Sequence, residues 1–417
     1  MGKMGVIYSI HMNTTTELGT PLEGSIVLRD ATGADLVTPM VREAARQGSS
    51  DVHVEAMPNE VLVRFRVDGV LQTYEHLSKD DHEHVINRLK VLANMEVGPV
   101  RLPEDGHFAV KFQDETDGKE RIIDVRVSMF PTVNGPTAVL RLLNRSDMLI
   151  SLDDIGFDED IRLRVRQLTM ASYGMILTTG PTGSGKTTTL YSMLMEINRK
   201  ERNIMTLEDP VEVFIDDMRQ SQILPEIGFT FAKGMKSILR QDPDVMMIGE
   251  IRDAETADHA LQASLTGRMV YSTLHANTTI GAIARLIDLN IERGMIAYAI
   301  RGVIAQRLVR KICPSCSAPD QTPRAEYINL LGMQGMSVNY RRGAGCDECN
   351  HTGYRGRTGV FEVLIFDDEL RAMIVDKASM NELQMYAEKT GMTTLRQNAV
   401  NLVMNGVTTL DEAIRVV

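Results

Sequence analysis

The sequence predicts an α/β protein in which a parallel, doubly wound sheet follows a smaller α+β domain and carries a cysteine-containing insert. Three observations support this fold class. Short apolar runs alternate with helical stretches after residue 162, strand-like patterns dominate before residue 145, and all four cysteines lie between residues 313 and 349. The length of 417 residues exceeds that of one ordinary domain and favours two or three.

The first part of the chain is predicted to hold the small α+β domain, over residues 21–145. Apolar and polar residues alternate there as in half-buried strands, for example over 60–74, and two helical stretches accompany them. Residues 1–20 are polar and Thr-rich, and we expect a disordered lead-in. Residues 146–160 are polar and then acidic, which is typical of a linker.

The second domain is predicted over residues 161–417, because its apolar runs have the alternation of a parallel sheet. Catalytic groups are expected at the carboxyl ends of those strands. Residues 313–349 lose periodicity and form the insert, and residues 367–417 return to helical patterns. The predicted strands are 175–179, 203–208, 244–250 and 269–275.

Composition and charge exclude several classes of protein. A hydrophobic fraction of 43% and a charged fraction of 24% are those of a soluble globular protein. The net charge of −11 argues against a general nucleic-acid binder, which needs a basic surface. No apolar run approaches the length of a transmembrane helix, and the N-terminus is a poor signal peptide, so we expect a cytoplasmic protein.

The motif GPTGSGKT fits the phosphate-loop pattern G-x-x-x-x-G-K-[ST], and a predicted strand precedes it while an amphipathic helix follows. This context argues against a chance Gly-rich turn. Glycines let backbone N–H groups turn toward phosphate oxygens, and the helix N-terminus adds partial positive charge. Lys186 is predicted to reach the β- and γ-phosphates of ATP, and Thr187 to ligate Mg²⁺. The predicted nucleotide-binding residues are Gly180, Pro181, Thr182, Gly183, Ser184, Gly185, Lys186, Thr187 and Thr188.

Acidic residues follow two neighbouring predicted strands. Glu250 ends DVMMIGE, and we assign it to the attacking water; Gly249 stands where many phosphate-loop enzymes have an aspartate. Glu208 and Asp209 in TLEDPVE are predicted to shape the Mg²⁺ and water shell, although these residues taken alone favour a simple strand-end turn before Pro210. His275 ends a third strand. Its spacing leaves both a structural role and contact with the γ-phosphate open.

These motifs resemble the secretion and pilus-assembly ATPases of type II secretion systems and type IV pili. The resemblance covers residues 25–417 and includes SDVHVE, RLPEDGHF, GPTGSGKTTTL, TLEDPVE, LRQDPDVMMIGEIRDAETA, LTGRMVYSTLHAN and AQRLVRKICPSC. It implies a RecA-like ATPase domain after a PAS-like domain, and assembly as a homo-hexamer. It also implies that ATP hydrolysis is coupled to an inner-membrane platform protein, with the motor peripheral to the inner membrane through its partners.

The resemblance also implies roles for arginines. Arg126 and Arg141 match small-domain arginines that reach the nucleotide phosphates, although both could simply be exposed strand residues. Arg240 and Arg252, which flank DPDVMMIGE, are further candidates for the nucleotide site. Two features depart from the family. Arg268 stands where a histidine is frequent, and only about 20 residues precede the small domain, so we expect a truncated chain or a different docking mode.

The cysteines form two C-x-x-C pairs, CPSC and CDEC, with 29 residues between Cys316 and Cys346. A disulfide pair is not expected in the cytosol, and thioredoxin-type chemistry uses one such pair on a βαβ unit. Two pairs predict a tetrahedral, structural zinc site, although the separation exceeds the usual ribbon spacing. The predicted zinc ligands are Cys313, Cys316, Cys346 and Cys349.

The sequence therefore predicts a hexameric, cytoplasmic motor that hydrolyses ATP to power type IV pilus assembly or type II secretion. A pilus-retraction ATPase of the same superfamily is the nearest alternative, and the tetracysteine insert disfavours it. A non-hydrolysing nucleotide-dependent docking module is disfavoured by the full set of catalytic groups. A DNA-translocating ATPase is disfavoured by the acidic charge.

Overall fold

The computed structural model describes residues 27–28, 35–113, 120–144 and 148–417. By its internal contacts the chain divides into two compact units, Met1–Asn144 and Arg145–Val417. The predicted lead-in of residues 1–20 lies outside the described residues. None of the helices in the described part of the chain combines the length and apolar character that a membrane crossing requires.

The N-terminal unit is built on a seven-stranded sheet in the order β1-β5-β6-β7-β2-β3-β4. Strand β1 is parallel to β5, and the other neighbours are antiparallel. Val54, Phe65 and Leu89 are among the residues of its single apolar core. The elements are α1 (Val37–Arg46), α2 (Lys79–Leu92), β1 (Val27–Leu28), β2 (Ser49–Ala56), β3 (Val61–Val67), β4 (Val70–Leu77), β5 (Glu104–Gln113), β6 (Glu120–Thr132) and β7 (Gly135–Asn144).

The alternation over residues 60–74 belongs to two strands rather than one. The chain reverses at Asp68 and Gly69, whose φ angles are +49° and +83°, so that β3 and β4 form an antiparallel hairpin. An Asp-Gly pair between alternating apolar residues is a strong signal for a two-residue hairpin turn, because both positions need positive φ. The period-2 pattern continues through the turn, which is why it reads as one strand.

The C-terminal unit contains a second seven-stranded sheet, in the order β10-β9-β11-β12-β8-β13-β16. Its neighbours are parallel except for the antiparallel pair β13 and β16. Strands β14 and β15 form a separate two-stranded ribbon. The strands are β8 (Gly174–Thr179), β9 (Ile204–Glu208), β10 (Arg219–Gln222), β11 (Val245–Ile248), β12 (Met269–Leu274), β13 (Ile300–Ile312), β14 (Ser317–Pro319), β15 (Arg341–Gly343) and β16 (Tyr354–Ile365).

Helices separate and follow these strands, and the predicted α/β fold with its parallel sheet is confirmed. Every residue of β8, β11 and β12 is buried, as expected of strands covered on both faces. Strands β10, β13 and β16 were not predicted from the sequence. The helices are α3 (Glu159–Thr169), α4 (Lys186–Met195), α5 (Phe231–Ile238), α6 (Ala254–Leu265), α7 (Thr279–Asp288), α8 (Arg293–Ala299), α9 (Ala325–Leu331), α10 (Asp368–Val375), α11 (Met380–Lys389), α12 (Leu395–Met404) and α13 (Leu410–Val416).

The segment predicted as a linker packs onto the C-terminal unit where it is described. Leu152, Ile155 and Phe157 are buried in the same apolar core as Tyr191 of α4. The Ser192 hydroxyl also donates a hydrogen bond to the Ile150 carbonyl at 2.5 Å. These apolar residues, embedded among acidic ones, hold residues 148–158 against the helix that follows the phosphate-loop motif.

Candidate functional site

The phosphate-loop motif leaves the carboxyl end of β8 and enters α4. Gly180, Gly183 and Gly185 have φ angles of +147°, +76° and +86°, a region that side chains rarely adopt. The Lys186 ammonium donates hydrogen bonds to the carbonyls of Gly180 and Pro181, both at 3.0 Å. Burial lowers the pKa of Lys186; Glu250 counteracts this effect and Arg307 adds to it.

A cavity of about 370 Å³ opens over this loop. Glu250 and His275 come to it from the ends of β11 and β12, and Glu208 and Asp209 from the end of β9. The parallel sheet thus gathers side chains from four strand ends at one edge, as expected for this fold class. The loop residues that line the cavity are Thr182, Gly183, Ser184, Gly185, Lys186, Thr187 and Thr188.

The Glu250 carboxylate is held from two sides. Its Oε1 accepts a hydrogen bond from Arg252, and its Oε2 lies 3.2 Å from His275 Nε2. Arg252 also lies 3.4 Å from an Asp209 oxygen, so it links the two carboxylates. Burial alone raises the pKa of Glu250, but the hydrogen bonds and charges of Arg252 and His275 bring it below its ordinary value. Glu250 is therefore an ionised carboxylate at neutral pH.

Glu208 has a different environment, although it lies at the same edge of the sheet. Its side chain is 3% exposed and accepts hydrogen bonds from Tyr191, from Thr206 at 2.5 Å and from Gln220 at 3.0 Å. Burial raises the pKa of Glu208 above its ordinary value despite these donors. The three donors tie Glu208 at the end of β9 to its neighbours, including Tyr191 of α4, and Glu208 also lines the cavity.

The close packing around Gly249 explains why no aspartate stands there. A Cβ at this position would lie 3.2 Å from the Leu207 carbonyl and 3.5 Å from the Phe231 ring. The Gly249 N–H donates to the same Leu207 carbonyl at 2.7 Å. A side chain at this position would require the Leu207 carbonyl to move by a few tenths of an ångström, and Glu250 supplies the acidic side chain at this strand end.

The predicted arginines occupy different places. Arg240 is exposed and donates to the Lys236 carbonyl at 2.6 Å, outside the residues that line the cavity. Within the N-terminal unit, Arg126 and Arg141 are cross-strand partners on β6 and β7. Arg141 forms an ion pair with Asp51 at 3.1 Å, while 59% of its side chain stays exposed.

Four residues of this region were not among the predicted site residues. Tyr191 and Gln220 bind Glu208, and Gln306 and Arg307 of β13 lie against the phosphate loop. Strand β13 follows the predicted strands by some 25 residues, and the segment AQRLVRKICPSC, which begins within it, carries the family resemblance without indicating a strand or a site residue. The placement of β13 next to β8 depends on tertiary pairing, which a local pattern does not reveal.

The four cysteines converge at the base of the insert. Each C-x-x-C pair spans a short 3₁₀ turn, Pro314–Cys316 and Asp347–Cys349, and the four sulfurs lie within 4.8 Å of one another. The Sγ–Sγ distances are 3.9 Å for Cys313–Cys346 and Cys316–Cys349 and 3.7 Å for Cys346–Cys349. Zinc–sulfur bonds of about 2.3 Å place the sulfurs of a tetrahedral site about 3.8 Å apart, so the donor set fits zinc.

Backbone amides support thiolates at this cluster. Gly345 N–H donates to Cys316 Sγ at 3.3 Å, and Cys346 and Gly353 N–H donate to Cys349 Sγ at 3.2 and 3.3 Å. Burial raises the pKa of Cys349, but the Cys346 and Gly353 amides and the Cys346 and Cys316 side chains lower it overall, to about 6, whereas burial raises the pKa values of Cys316 and Cys346. Such N–H···S contacts are those expected around metal-bound thiolates.

Comparison with known proteins shows a family match and similar secretion and pilus proteins. Residues 29–415 match the model of the family described as type II/IV secretion system protein. The chain is 42% identical over 388 residues to type II secretion system protein E of Pseudomonas aeruginosa, covering 93% of this chain and 76% of that protein. It is 39% identical over 401 residues to the type IV pilus assembly ATPase PilB of Thermus thermophilus, covering 95% of this chain and 44% of that protein.

Solved structures give the same fold. The pilus retraction motor PilT with bound ADP is 27% identical, with a TM-score of 0.60, and the match covers 91% of this chain and 96% of that one. The ATPase DotB of Legionella pneumophila is 21% identical, with a TM-score of 0.66, covering 94% and 99% of the two chains.

Proposed function

Because this chain belongs to the type II/IV secretion system protein family, we propose that it is a Mg²⁺-dependent ATP hydrolase that powers type II protein secretion or type IV pilus assembly. One observation carries the proposal: the phosphate loop and the ionised Glu250 face the same cavity of about 370 Å³. Pilus retraction is less well supported, because PilT is 27% identical whereas the secretion and assembly relatives reach 39–42%.

In this proposal the loop residues 180–188 bind the phosphates of ATP, and Lys186 leaves its two carbonyl acceptors to pair with them. The Thr187 hydroxyl would hold Mg²⁺, and the ion would supply positive charge to the phosphates. Glu250 orients the attacking water and accepts its proton. His275 fixes the Glu250 carboxylate, and Glu208 keeps β9 and α4 in place. Asp209 contributes to the water shell through Arg252.

The predicted arginines act on the nucleotide phosphates or on Glu250. Arg126 and Arg141 supply guanidinium charge to the nucleotide phosphates, supported by their neighbouring positions on β6 and β7. Arg252 orients Glu250, supported by its hydrogen bond to that carboxylate. Arg240 has the weakest support of the group, since it is exposed and binds only the Lys236 carbonyl.

The cysteine cluster is proposed to hold one structural zinc ion through Cys313, Cys316, Cys346 and Cys349. Four sulfur ligands complete a tetrahedral shell, so the metal stabilises the insert and has no vacant position for chemistry. The motor is further proposed to act as a homo-hexamer on an inner-membrane platform protein, in the cytoplasm and peripheral to the membrane. The names of the relatives, a type II secretion system protein and a type IV pilus assembly ATPase, support the part of this proposal that concerns a secretion or pilus system.

Steady-state ATP hydrolysis by the purified chain tests the function. We expect Mg²⁺-dependent turnover that Lys186→Ala lowers by about 100-fold or more, because the phosphates lose their principal cation. Glu255→Gln is the matched control: Glu255 is an exposed residue of α6 paired with Lys236 and should leave turnover unchanged. Absence of Mg²⁺-dependent turnover in a correctly assembled oligomer contradicts the proposal.

A further inference from the structure

Strand β13 runs alongside the phosphate loop as the loop leaves β8. In the register of the two strands Thr179 pairs with Ala305, so Gln306 and Arg307 come next to the loop itself. Gln306 is 1% exposed, and its Nε2 donates to the Ser184 carbonyl at 2.6 Å. Gln306 therefore holds the middle of the loop through a hydrogen bond from the neighbouring strand β13.

The Arg307 guanidinium lies beside the first residue of the loop. Its Nη1 donates to the Gln306 carbonyl at 3.0 Å, and its Nη2 lies 3.0 Å from the Asn277 carbonyl and 3.3 Å from Asn277 Oδ1. A Cβ on Gly180 would stand 3.3 Å from Nη1, and the Gly180 carbonyl accepts from Lys186 Nζ at 3.0 Å. Two cationic side chains therefore flank Gly180.

The charge of Arg307 is not balanced locally. Its hydrogen-bond acceptors are neutral, and within the described ranges no carboxylate lies at ion-pair distance from it. Burial lowers the pKa of Arg307, with the more distant Glu362 opposing the shift. A half-buried cation next to a second cation is unfavourable unless an anion neutralises both. Arg307 lies outside the residues that line the cavity, but it flanks Gly180 at the start of the loop, so a phosphate chain bound by the loop is the anion its position favours.

We propose that Arg307 is a second cation for the phosphate chain of ATP, acting from β13 beside Lys186, with Gln306 as a positioning residue for the loop. This inference rests on the proposed ATP hydrolase function. A guanidinium has five N–H donors, so Arg307 can keep its protein acceptors and still donate to phosphate oxygens. The bonds to Asn277, two residues after His275, also connect this cation to the strand end that contacts Glu250.

Equilibrium binding of ATP and adenosine to the full chain, with and without Arg307→Gln, tests the inference. The substitution is expected to weaken ATP binding by about 10-fold or more, the range for a lost hydrogen bond to a charged group, and to leave adenosine binding unchanged. Arg307→Lys retains the charge and should recover most of the affinity. Lys311→Gln is the matched control, since it removes one positive charge from an exposed position on the same strand.

The outcomes separate the explanations. Wild-type affinity in Arg307→Gln overturns the inference. Equal losses in the Gln and Lys variants, or a parallel loss of adenosine binding, also overturn it, because they indicate a scaffolding role for the hydrogen bonds alone. ATP binding by the wild-type chain without hydrolysis contradicts the proposed function but leaves the Arg307 result interpretable. Failure of the wild-type chain to bind ATP overturns both.

Discussion

The phosphate-loop cavity and the cysteine cluster are assembled in opposite ways. The cavity collects residues from the phosphate loop after β8 and from the ends of β9, β11 and β12, which are separate strands of one sheet. The cysteine cluster consists of two short turns whose sulfurs face one another. The first is open, with cations and carboxylates directed at a cavity; the second is closed on itself. The phosphate-loop cavity therefore depends on the fold of the whole sheet, whereas a metal ion bound by the cysteine cluster would help to stabilise the insert.

The largest expected effect is the loss of bound zinc from the cysteine cluster. Replacing Cys313 and Cys316 together with serine should reduce bound zinc from about one per chain to none, because a Cys₄ site loses half its ligands. Elemental analysis measures this directly. We expect limited proteolysis to cut within residues 313–349 of the variant while ATP binding survives, since no cysteine lines the cavity.

Ser315→Ala is the control for the cysteine substitutions. Ser315 lies between the two cysteines, and its hydroxyl donates to Glu348 at 2.7 Å rather than to a sulfur. The control should keep its zinc and its resistance to proteolysis. Retention of zinc in the double-serine variant would contradict the assignment of the ligands and remove the distinction between the two sites.

The next largest effect, on the free energy of unfolding, tests whether Glu208 has a structural role at the phosphate-loop cavity. Glu208→Ala should lower the free energy of unfolding by about 3 kcal/mol, because Tyr191, Thr206 and Gln220 lose a buried acceptor. Urea unfolding measures the change. Glu255→Ala removes an exposed carboxylate that lies near Lys236 and His259 and should cost less than about 1 kcal/mol. Equal effects of the two substitutions would show that Glu208 is not a structural anchor.

The pH dependence of stability gives a smaller, signed test of the same residue. Because the folded state raises the pKa of Glu208, the folded chain retains a proton there that the unfolded chain has lost. Wild-type stability therefore falls, relative to Glu208→Gln, as the pH rises from about 4.3 through the raised pKa. Urea unfolding of both chains at several pH values should give a difference that grows with pH and then levels off. A difference independent of pH would contradict a raised pKa.

The smallest effect concerns the close approach of β9 and β11. Gly249→Ala should cost about 1 kcal/mol of unfolding free energy, because the new Cβ lies 3.2 Å from the Leu207 carbonyl. Gly294→Ala is the control in α8, where the nearest atom lies 3.6 Å away, and it should be neutral or slightly stabilising. Similar stability of the two variants would show that the strand spacing tolerates a side chain at Gly249.

The same contrast explains what could be predicted from the sequence. The cysteine ligands, the phosphate loop and the strand-end residues Glu250 and His275 are local patterns, and the structure brings each group together. Arg307 and Gln306 escaped prediction because they reach the loop only through the pairing of β13 with β8. Glu208 was found, but its burial under Tyr191 depends on how α4 packs, which no spacing reveals.

The central claim is that Glu250 performs chemistry at the open edge of the sheet, and single-turnover hydrolysis of ATP by Glu250→Gln tests it most directly. We predict ATP affinity within about twofold of wild type and a hydrolysis rate at least about 100-fold lower, because the amide cannot accept the proton of the attacking water. Hydrolysis at the wild-type rate with unchanged affinity would contradict the claim and assign the reaction to another group at this edge.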